Sequence, residues 1–368
     1  MADIRLQKLA KVLVQYSLRL KPGDKFIISS PSIAAPLIRE VYREAVRAGA
    51  HVETDITIDR LEEILLREGN DEQLTHISDM SRLNTEYFDA RLVIWAQQNT
   101  RSLSGVDPAR MALQRGAYAS LFKRALERMA DGEVRWCGTL FPTHASAQDA
   151  GMSLSDYEDF VYGIGLLDLD DPVAAWREVH MKQQRIVEFL ERHDEIHIVA
   201  PGTDIRYRVG GRKWINCAGA ENFPDGEVFS GPIENSVHGT VLFSYPAIYD
   251  GNEVADVQLT FRDGKVIENN ASRGLGFLNA TLATDAGARY VGEVAFGLNY
   301  NIKRFSKDTL FDEKIGGTMH MALGASLPES GGVNESAVHW DMVCDLREGK
   351  VYADGQLCYQ NGKFLIED

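Results

Sequence analysis

Short apolar segments alternate with helical segments through the first half of this chain, and this alternation most constrains its fold. Apolar runs that suit buried strands lie at residues 25–29, 51–56, 91–96 and 134–140. Segments with apolar residues at helical spacing, such as residues 6–18 and 33–48, separate these runs. Strands that alternate with helices indicate a parallel sheet with helices on both faces. The sequence therefore predicts a Rossmann-like parallel α/β domain. It has no G-x-G-x-x-G after the first strand and no Walker-type loop, so no nucleotide is predicted.

The pattern changes after a charged helical segment at residues 171–193. Apolar and polar residues then alternate one by one, for example at 205–209 and 257–261, and turn dipeptides such as Asp263-Gly264 separate the runs. One further helix is expected near residues 275–291. We therefore predict an α/β protein with two domains. Residues 1–194 form the Rossmann-like domain and its connector helix, and residues 195–368 form a mixed, largely antiparallel α+β metal-binding domain.

Composition excludes several classes of function. The chain has 368 residues, 44% of them apolar, and a net charge of −15. Two globular domains are expected at this length, and the acidic balance argues against binding to a nucleic-acid backbone. No run of about 18 apolar residues and no apolar signal core occurs, so neither a membrane span nor export is predicted. Four widely separated cysteines fit a reducing, cytoplasmic location better than a disulfide framework.

A His-x-Asp pair near the end of the chain is the strongest indication of chemistry. His339 and Asp341 are two residues apart, so an extended strand directs both side chains to the same side. An imidazole nitrogen and a carboxylate oxygen suit a cation of borderline hardness, such as zinc or cobalt. Solvent-exposed polar residues with no ligand are the ordinary alternative for such a pair.

Four more titratable residues occur in apolar or turn contexts upstream: Glu227, Glu293, Glu313 and His320. A buried carboxylate is costly unless it is paired or bound to a cation, although each residue alone fits an ordinary satisfied polar group. Together with His339 and Asp341 they supply three glutamates, one aspartate and two histidines. This set of donors is typical of a hydrolytic site with two cations.

Six strings of sequence in one order carry a resemblance to a known family: GEVF, PAIYDGNEV, TDAGARYVGEVAFG, TLFDE, HMALG and NESAVHWDM. They resemble the AmpS/AmpT/PepS-type metallo-aminopeptidases, and the similarity is densest from residue 222 to 341. The resemblance implies two divalent cations (zinc, cobalt, manganese or magnesium), a homodimer, and hydrolysis of peptides that have a free N-terminus. It also implies that Glu293 helps to activate water. The implied metal ligands are Glu227, Glu293, Glu313, His320, His339 and Asp341.

The chain departs from the family pattern at two places. The family has a functional tyrosine seven residues after the histidine of its HxALG segment, where this chain has Leu327. The spacing from Glu313 to His320 is two residues longer than expected, through Gly316 and Gly317. The longer spacing makes Glu313 the least secure of the predicted ligands, and the leucine removes a hydroxyl group that could stabilise the oxyanion or donate a proton.

Two other functions compatible with the sequence stay open at this point. His320, His339 and Asp341 alone form a two-histidine, one-carboxylate set of the kind that holds non-haem Fe(II), as in ring-cleaving dioxygenases. Such an enzyme needs neither Glu227 nor Glu293. The leucine at position 327 also allows a degenerate, non-catalytic homologue. Metal content separates the three functions: the dioxygenase should hold one iron per chain, the aminopeptidase two other cations, and the non-catalytic homologue none.

Overall fold

The computed structural model describes residues 3–366, and this part of the chain forms two compact units. Unit 1 contains the residues up to Ala175 together with Gly219–Phe223. Unit 2 contains Trp176–Ala218 and the residues from Pro224 onward. The division into domains between residues 194 and 195 stays a prediction, because compactness does not test independent folding. Within residues 3–366, every helix is too short or too polar to cross a bilayer.

The described residues form helices mainly in the first half and strands mainly in the second. In chain order the α-helices are α1 (Ile4–Lys11), α2 (Ala35–Arg47), α3 (Leu61–Glu68), α4 (Asp71–Thr75), α5 (Asp79–Glu86), α6 (Pro108–Ala130), α7 (His144–Asp149), α8 (Leu154–Ile164), α9 (Pro172–Leu190), α10 (Leu275–Thr281) and α11 (Thr309–Asp312). The strands are β1 (Lys25–Pro31), β2 (His51–Thr57), β3 (Ala90–Trp95), β4 (Arg135–Leu140), β5 (Glu195–Ala200), β6 (Thr203–Arg208), β7 (Ile215–Cys217), β8 (Asn222–Phe223), β9 (Glu227–Ser230), β10 (His238–Phe243), β11 (Ala247–Tyr249), β12 (Asn252–Val254), β13 (Val257–Arg262), β14 (Lys265–Asn270), β15 (Val291–Gly297), β16 (Thr318–Gly324), β17 (His339–Asp345), β18 (Lys350–Ala353), β19 (Gln356–Gln360) and β20 (Lys363–Phe364).

Unit 1 is built on a five-stranded parallel sheet in the order β2-β1-β3-β4-β8. Strand β1 is apolar because it is buried, with Phe26, Ile27 and Ile28 at most 2% exposed. Strand β2 lies at the edge and is largely exposed. The predicted α/β class and parallel sheet are confirmed. The first predicted helix differs in detail, since α1 ends at Lys11 and a π-helix, Val12–Ser17, continues it.

Unit 2 contains only antiparallel strand pairs among its described residues. An eight-stranded sheet has the order β14-β13-β10-β6-β5-β18-β19-β20, and a five-stranded sheet has the order β17-β16-β15-β9-β7. Strands β11 and β12 form a separate hairpin. One continuous apolar core takes side chains from both large sheets, such as Leu259 from the first and Phe296 from the second. The prediction of a largely antiparallel second half is confirmed.

The helix expected near residues 275–291 is much shorter than the prediction. Helix α10 ends at Thr281, and strand β15 begins at Val291. Between them, the carboxylate of Asp285 accepts hydrogen bonds from the backbone N–H groups of Gly287 and Ala288, both at 2.9 Å. A side chain that binds its own following backbone in this way stabilises a turn and competes with helix.

Candidate metal centre

The five-stranded sheet of unit 2 has one apolar face and one polar face, and both faces are buried on strands β15 and β16. Val294 and Phe296 of β15 and Met321 of β16 point into the apolar core. Side chains alternate across a strand, so Glu293 and His320 point to the opposite face. Every residue of β15 and β16 is buried. Charged groups on the polar face are therefore enclosed by protein, where only other charges or bound ions can compensate them.

Strand register brings the predicted ligands of this face together. Glu293 lies opposite Ala322 on β16, and Ala322 lies opposite Asp341 on β17. His320 and His339 are two residues before Ala322 and Asp341, so they share the same face. Residues two apart on a regular strand point to the same side, but a β-bulge lies between Val291 and Glu293. The side chain of Val291 therefore points into the apolar core, whereas that of Glu293 points to the polar face.

Glycine at position 297 brings the end of helix α11 close to this face. Gly297 lies opposite Glu227 on β9. A Cβ atom at Gly297 would come within 2.3 Å of the Ile315 carbonyl oxygen and 3.0 Å of the Glu313 carbonyl oxygen. The missing side chain therefore allows the segment that carries Glu313 to approach the sheet.

Glu293 lies between the two histidines. Its Oε1 is 3.3 Å from His320 Nε2, and its Oε2 is 3.4 Å from His339 Nε2. Asp341 also faces both rings, with Oδ1 3.9 Å from His320 Nε2 and Oδ2 3.7 Å from His339 Nε2. The four side chains thus direct their oxygen and Nε2 atoms toward a common space.

Backbone carbonyl groups fix the orientation of both imidazole rings. His320 Nδ1 is 3.1 Å from the carbonyl oxygen of Glu313, and His339 Nδ1 is 2.9 Å from that of Ala325. A carbonyl oxygen only accepts, so Nδ1 is the donor in each ring and Nε2 is directed into the site. Metal-binding histidines are commonly held by a hydrogen bond of this kind.

Two carboxylate oxygens in the site are buried without a hydrogen-bond donor: Oε2 of Glu227 and Oδ1 of Asp341. Such oxygens are destabilising unless a cation satisfies them. Two triads have ligand atoms within 4.8 Å of one another: Glu293, His339 and Asp341, and Glu313, His320 and Asp341. Oxygen and nitrogen donors that converge around unsatisfied carboxylates fit divalent cations of borderline hardness.

Opposing charges shift the protonation of the site. Burial favours neutral histidines, but the hydrogen bonds to Glu293 and the surrounding carboxylates raise the pKa of both His320 and His339 to about 10. Burial likewise disfavours an ionised Glu293, yet the two histidines lower its pKa. Burial raises the pKa of Glu227 and of Asp341. A divalent cation would have to replace protons on the histidine rings.

Sequence reasoning missed Lys314, whose side chain is fully buried beside the predicted ligands. Its Nζ is 3.3 Å from Glu227 Oε1 and 3.9 Å from Asp225 Oδ1, and it contacts Glu313 Oε1 directly. These carboxylates hold the pKa of Lys314 well above its usual value, although burial opposes the charge. Its position next to Glu313 was the only sequence signal available, and an adjacent lysine is usually a surface residue.

The two departures from the family pattern have different structural outcomes. The longer connection from Glu313 to His320 leaves these residues in contact, since the Glu313 carbonyl group meets the His320 ring. Gly317 has a φ of +92°, in the left-handed region that favours glycine. Leu327 is half-buried and precedes a 3₁₀ turn, Pro328–Ser330. A leucine side chain supplies neither a proton nor a hydrogen bond.

Comparisons with known proteins cover nearly the whole chain. A family model described as thermophilic metalloprotease (M29) matches residues 2–364. The chain is 32% identical to Aminopeptidase 2 of Geobacillus stearothermophilus over 98% of each sequence. It is 29% identical to Aminopeptidase T of Thermus thermophilus over 95% of each. The solved structure of wild-type AmpT from Thermus thermophilus matches with a TM-score of 0.84 and 27% identity, covering 99% of both chains.

Proposed function

The chain belongs to the thermophilic metalloprotease family M29 and is a metal-dependent aminopeptidase, and from this premise we propose that it acts through two divalent cations held in unit 2. The proposed ligands are the six converging side chains: Glu227, Glu293, Glu313, His320, His339 and Asp341. The ring-cleaving dioxygenase and the non-catalytic homologue are set aside, because the family and its named relatives are peptidases.

One observation carries the two-cation proposal. Five of the six proposed ligands form two triads, and Asp341 belongs to both; the sixth, Glu227, has its Oε2 3.6 Å from His320 Nε2. A carboxylate shared by two groups of ligands is the usual bridge between neighbouring cations. The four carboxylates of the proposed ligand set supply four negative charges, which balance two divalent ions. Mixed carboxylate and imidazole donors favour zinc or cobalt, with manganese and magnesium as alternatives.

Glu293 is the residue that we propose moves the proton. When bound, divalent cations lower the pKa of water toward 7 and polarise the carbonyl group that is attacked. In the metal-free protein the two histidines lower the pKa of Glu293, and in the loaded site the adjacent cations would take over this effect and keep the carboxylate ionised at neutral pH, available as a base. It accepts a proton from the attacking water and passes it to the leaving amine. The 5% exposure of Glu293 limits exchange of that proton with solvent.

The substrates are peptides, and we propose that the free N-terminus is recognised through its positive charge. The chain carries a net charge of −15, which attracts a protonated amine toward the protein. N-terminally acetylated peptides should therefore be hydrolysed far more slowly than the corresponding free peptides.

Elemental analysis combined with an activity assay tests the proposal. The protein is treated with a chelator, reloaded with zinc, cobalt, manganese or magnesium, and assayed for release of p-nitroaniline from leucine p-nitroanilide. We expect two ions per chain and activity that returns only with metal. A stoichiometry of one ion in the active protein would contradict the two-cation site, whereas full activity without metal would contradict the ligand assignments.

We further propose that the protein is a homodimer through a surface of unit 1. Support comes from large apolar side chains that are exposed there: Ile58, Leu61, Ile64, Leu83, Phe122 and Leu126. Exposed apolar groups in such number are typical of interfaces between protein chains. Light scattering should give twice the 41.0 kDa chain mass, and Phe122→Ser should shift the protein toward monomer.

A cytoplasmic location is also a proposal. Cys344 and Cys358 are buried thiols in unit 2, and buried thiols persist without oxidation in a reducing compartment. Cell fractionation with an antibody against the chain tests this location.

A further inference from the structure

We propose that Lys314 acts as a tethered cation that competes with one of the two divalent ions, so that the two metal positions have unequal affinities. This inference rests on the proposed two-cation function. It assigns a regulatory effect on metal loading to a residue that supplies no ligand atom. Three observations carry it: the position of the ammonium group, its fixed backbone, and the asymmetry of its contacts.

The ammonium group lies among carboxylates of the proposed site. Within residues 3–366, the structure places Lys314 Nζ within 4 Å of carboxylate oxygens of Asp225, Glu227 and Glu313. The side chain has no exposure to solvent. A lysine is rarely buried to this degree unless its charge is compensated by neighbours. Lys314 therefore provides the positive charge that the Glu227 and Glu313 carboxylates need when no metal is bound.

The backbone keeps Lys314 in this place. Its N–H donates to the Phe311 carbonyl group at 3.1 Å, and its own carbonyl group accepts from Asn299 N–H at 3.0 Å. The first bond belongs to the end of helix α11, and the second joins the segment that follows β15. These two bonds hold the main chain of Lys314 beside the site, within reach of its carboxylates.

Of the two triads, only the one that contains Glu313 forms an ion pair with Lys314 among the residues that the structure describes. Glu313 belongs to the triad with His320 and Asp341, and its Oε1 is in contact with the ammonium group. Among the residues that the structure describes, Lys314 pairs with neither Glu293 nor His339, which belong to the other triad. A cation at the triad of Glu313 and His320 must share Glu313 with Lys314 and is repelled by its charge. A cation at the triad of Glu293 and His339 is much less affected.

The charges around the centre indicate that Lys314 weakens the binding of one divalent ion but does not prevent it. Five carboxylates surround the centre: Asp225, Glu227, Glu293, Glu313 and Asp341. Two divalent cations and one ammonium group balance five negative charges, so both ions and Lys314 are compatible in one site. The ion beside Glu293 and His339 should bind first, and the ion beside Glu313 and His320 should bind more weakly.

Calorimetric titration of the metal-free protein with Mn²⁺ tests the inference through binding rather than activity. We expect two binding steps in the wild-type protein, with dissociation constants that differ by at least about tenfold. Lys314→Met should strengthen the second step by about tenfold or more, so that the two constants approach each other. Lys314→Arg keeps the charge and should keep the two steps apart.

A matched control is Lys307→Met, because Lys307 belongs to unit 2 but its ammonium group pairs with Glu253 at 2.9 Å, away from the proposed ligands. This variant should leave both steps unchanged. Equal affinities in the wild-type protein, or an unchanged second step in Lys314→Met, would overturn the role of Lys314. If Lys314→Met does not fold without metal, equal affinities in the wild-type protein would still overturn the inference. Failure of the wild-type protein to bind any divalent ion would instead contradict the proposed function.

Discussion

Strand β1 in the parallel sheet of unit 1 and strands β15 and β16 in the five-stranded sheet of unit 2 are all largely buried, but they differ in the residues that they bury. Strand β1 fills its buried positions with Phe26, Ile27 and Ile28. Strands β15 and β16 are as deeply buried, yet they carry Glu293 and His320 on one face. Apolar side chains stabilise the first sheet by removal from water. The charges of the second are tolerated only because they compensate one another or a bound ion. Burial alone therefore does not distinguish a structural strand from a strand that carries the site.

The largest expected effect comes from removing one charge from the buried polar face. Glu293→Gln keeps the size of the side chain but removes a proposed ligand and the proposed base. We expect kcat/KM for leucine p-nitroanilide to fall on the order of 10⁴-fold, the upper range for loss of a general base. Glu44→Gln is the matched control, since Glu44 is a nearly buried carboxylate of unit 1. It should change activity by no more than about twofold, and similar losses in both variants would contradict a special role for the unit 2 face.

A cavity in the apolar sheet should have the reverse effect, on stability rather than chemistry. Phe26 is completely buried in β1, and Phe26→Ala should lower the free energy of unfolding of unit 1 by about 3–5 kcal/mol. Metal stoichiometry of the folded variant should be unchanged. Chemical denaturation monitored by hydrogen exchange of β1 and β3, with elemental analysis, measures both quantities. Loss of bound metal from the folded variant would show that metal binding in unit 2 depends on the packing of the parallel sheet in unit 1.

Removal of metal should affect the two sheets unequally. An ion that binds only the folded state adds about 2.7 kcal/mol of stability at a concentration one hundred times its dissociation constant. Treatment with EDTA should therefore increase hydrogen exchange in β15, β16 and β17 and leave β1 and β3 unchanged. Equal increases of hydrogen exchange in both sheets would contradict the expectation that bound metal stabilises the sheet of unit 2 and not that of unit 1.

The last prediction concerns the pH dependence of metal binding. His320 and His339 have pKa values raised to about 10 in the metal-free protein, so both rings are protonated at pH 7. Ligation requires neutral rings, so affinity for Mn²⁺ should rise with pH between 7 and 9, by about tenfold per pH unit for each proton released. Calorimetry in buffers of different ionisation enthalpy counts the protons. His339→Gln should reduce the count by about one. An affinity that is independent of pH would contradict the assignment of these histidines as ligands.

Local patterns in the sequence predicted much of this architecture, and the reasons are physical. Apolar runs such as residues 25–29 predicted β1 because a strand buried on both faces excludes polar residues. The isolated Glu293 and His320 stood out because their neighbours are apolar, and the structure places both on one face. The role of Lys314 could not be predicted in this way. Its burial depends on carboxylates up to 89 positions away in the chain, Asp225 being the farthest, and only the folded backbone brings them together.

The extent of helix α10 shows a second limit of local reasoning. Residues 275–291 have a helical pattern, but the Asp285 carboxylate also accepts from Ser336 Oγ and from the Ala337 backbone N–H, at 2.9 Å and 2.8 Å. These partners lie about fifty residues later and stabilise the turn against the helix. Tertiary hydrogen bonds of this kind are invisible in the local pattern.

Gly297 has a consequence for how such centres are recognised across related proteins. A single methyl group at this position would collide with the chain beside Glu313 and push that carboxylate away from the histidines. The number of ions that a relative retains can thus depend on an atom that coordinates nothing. A comparison of the ligand residues alone would classify a relative with Gly297→Ala as having a complete site. The number of ions that its site holds would nevertheless differ.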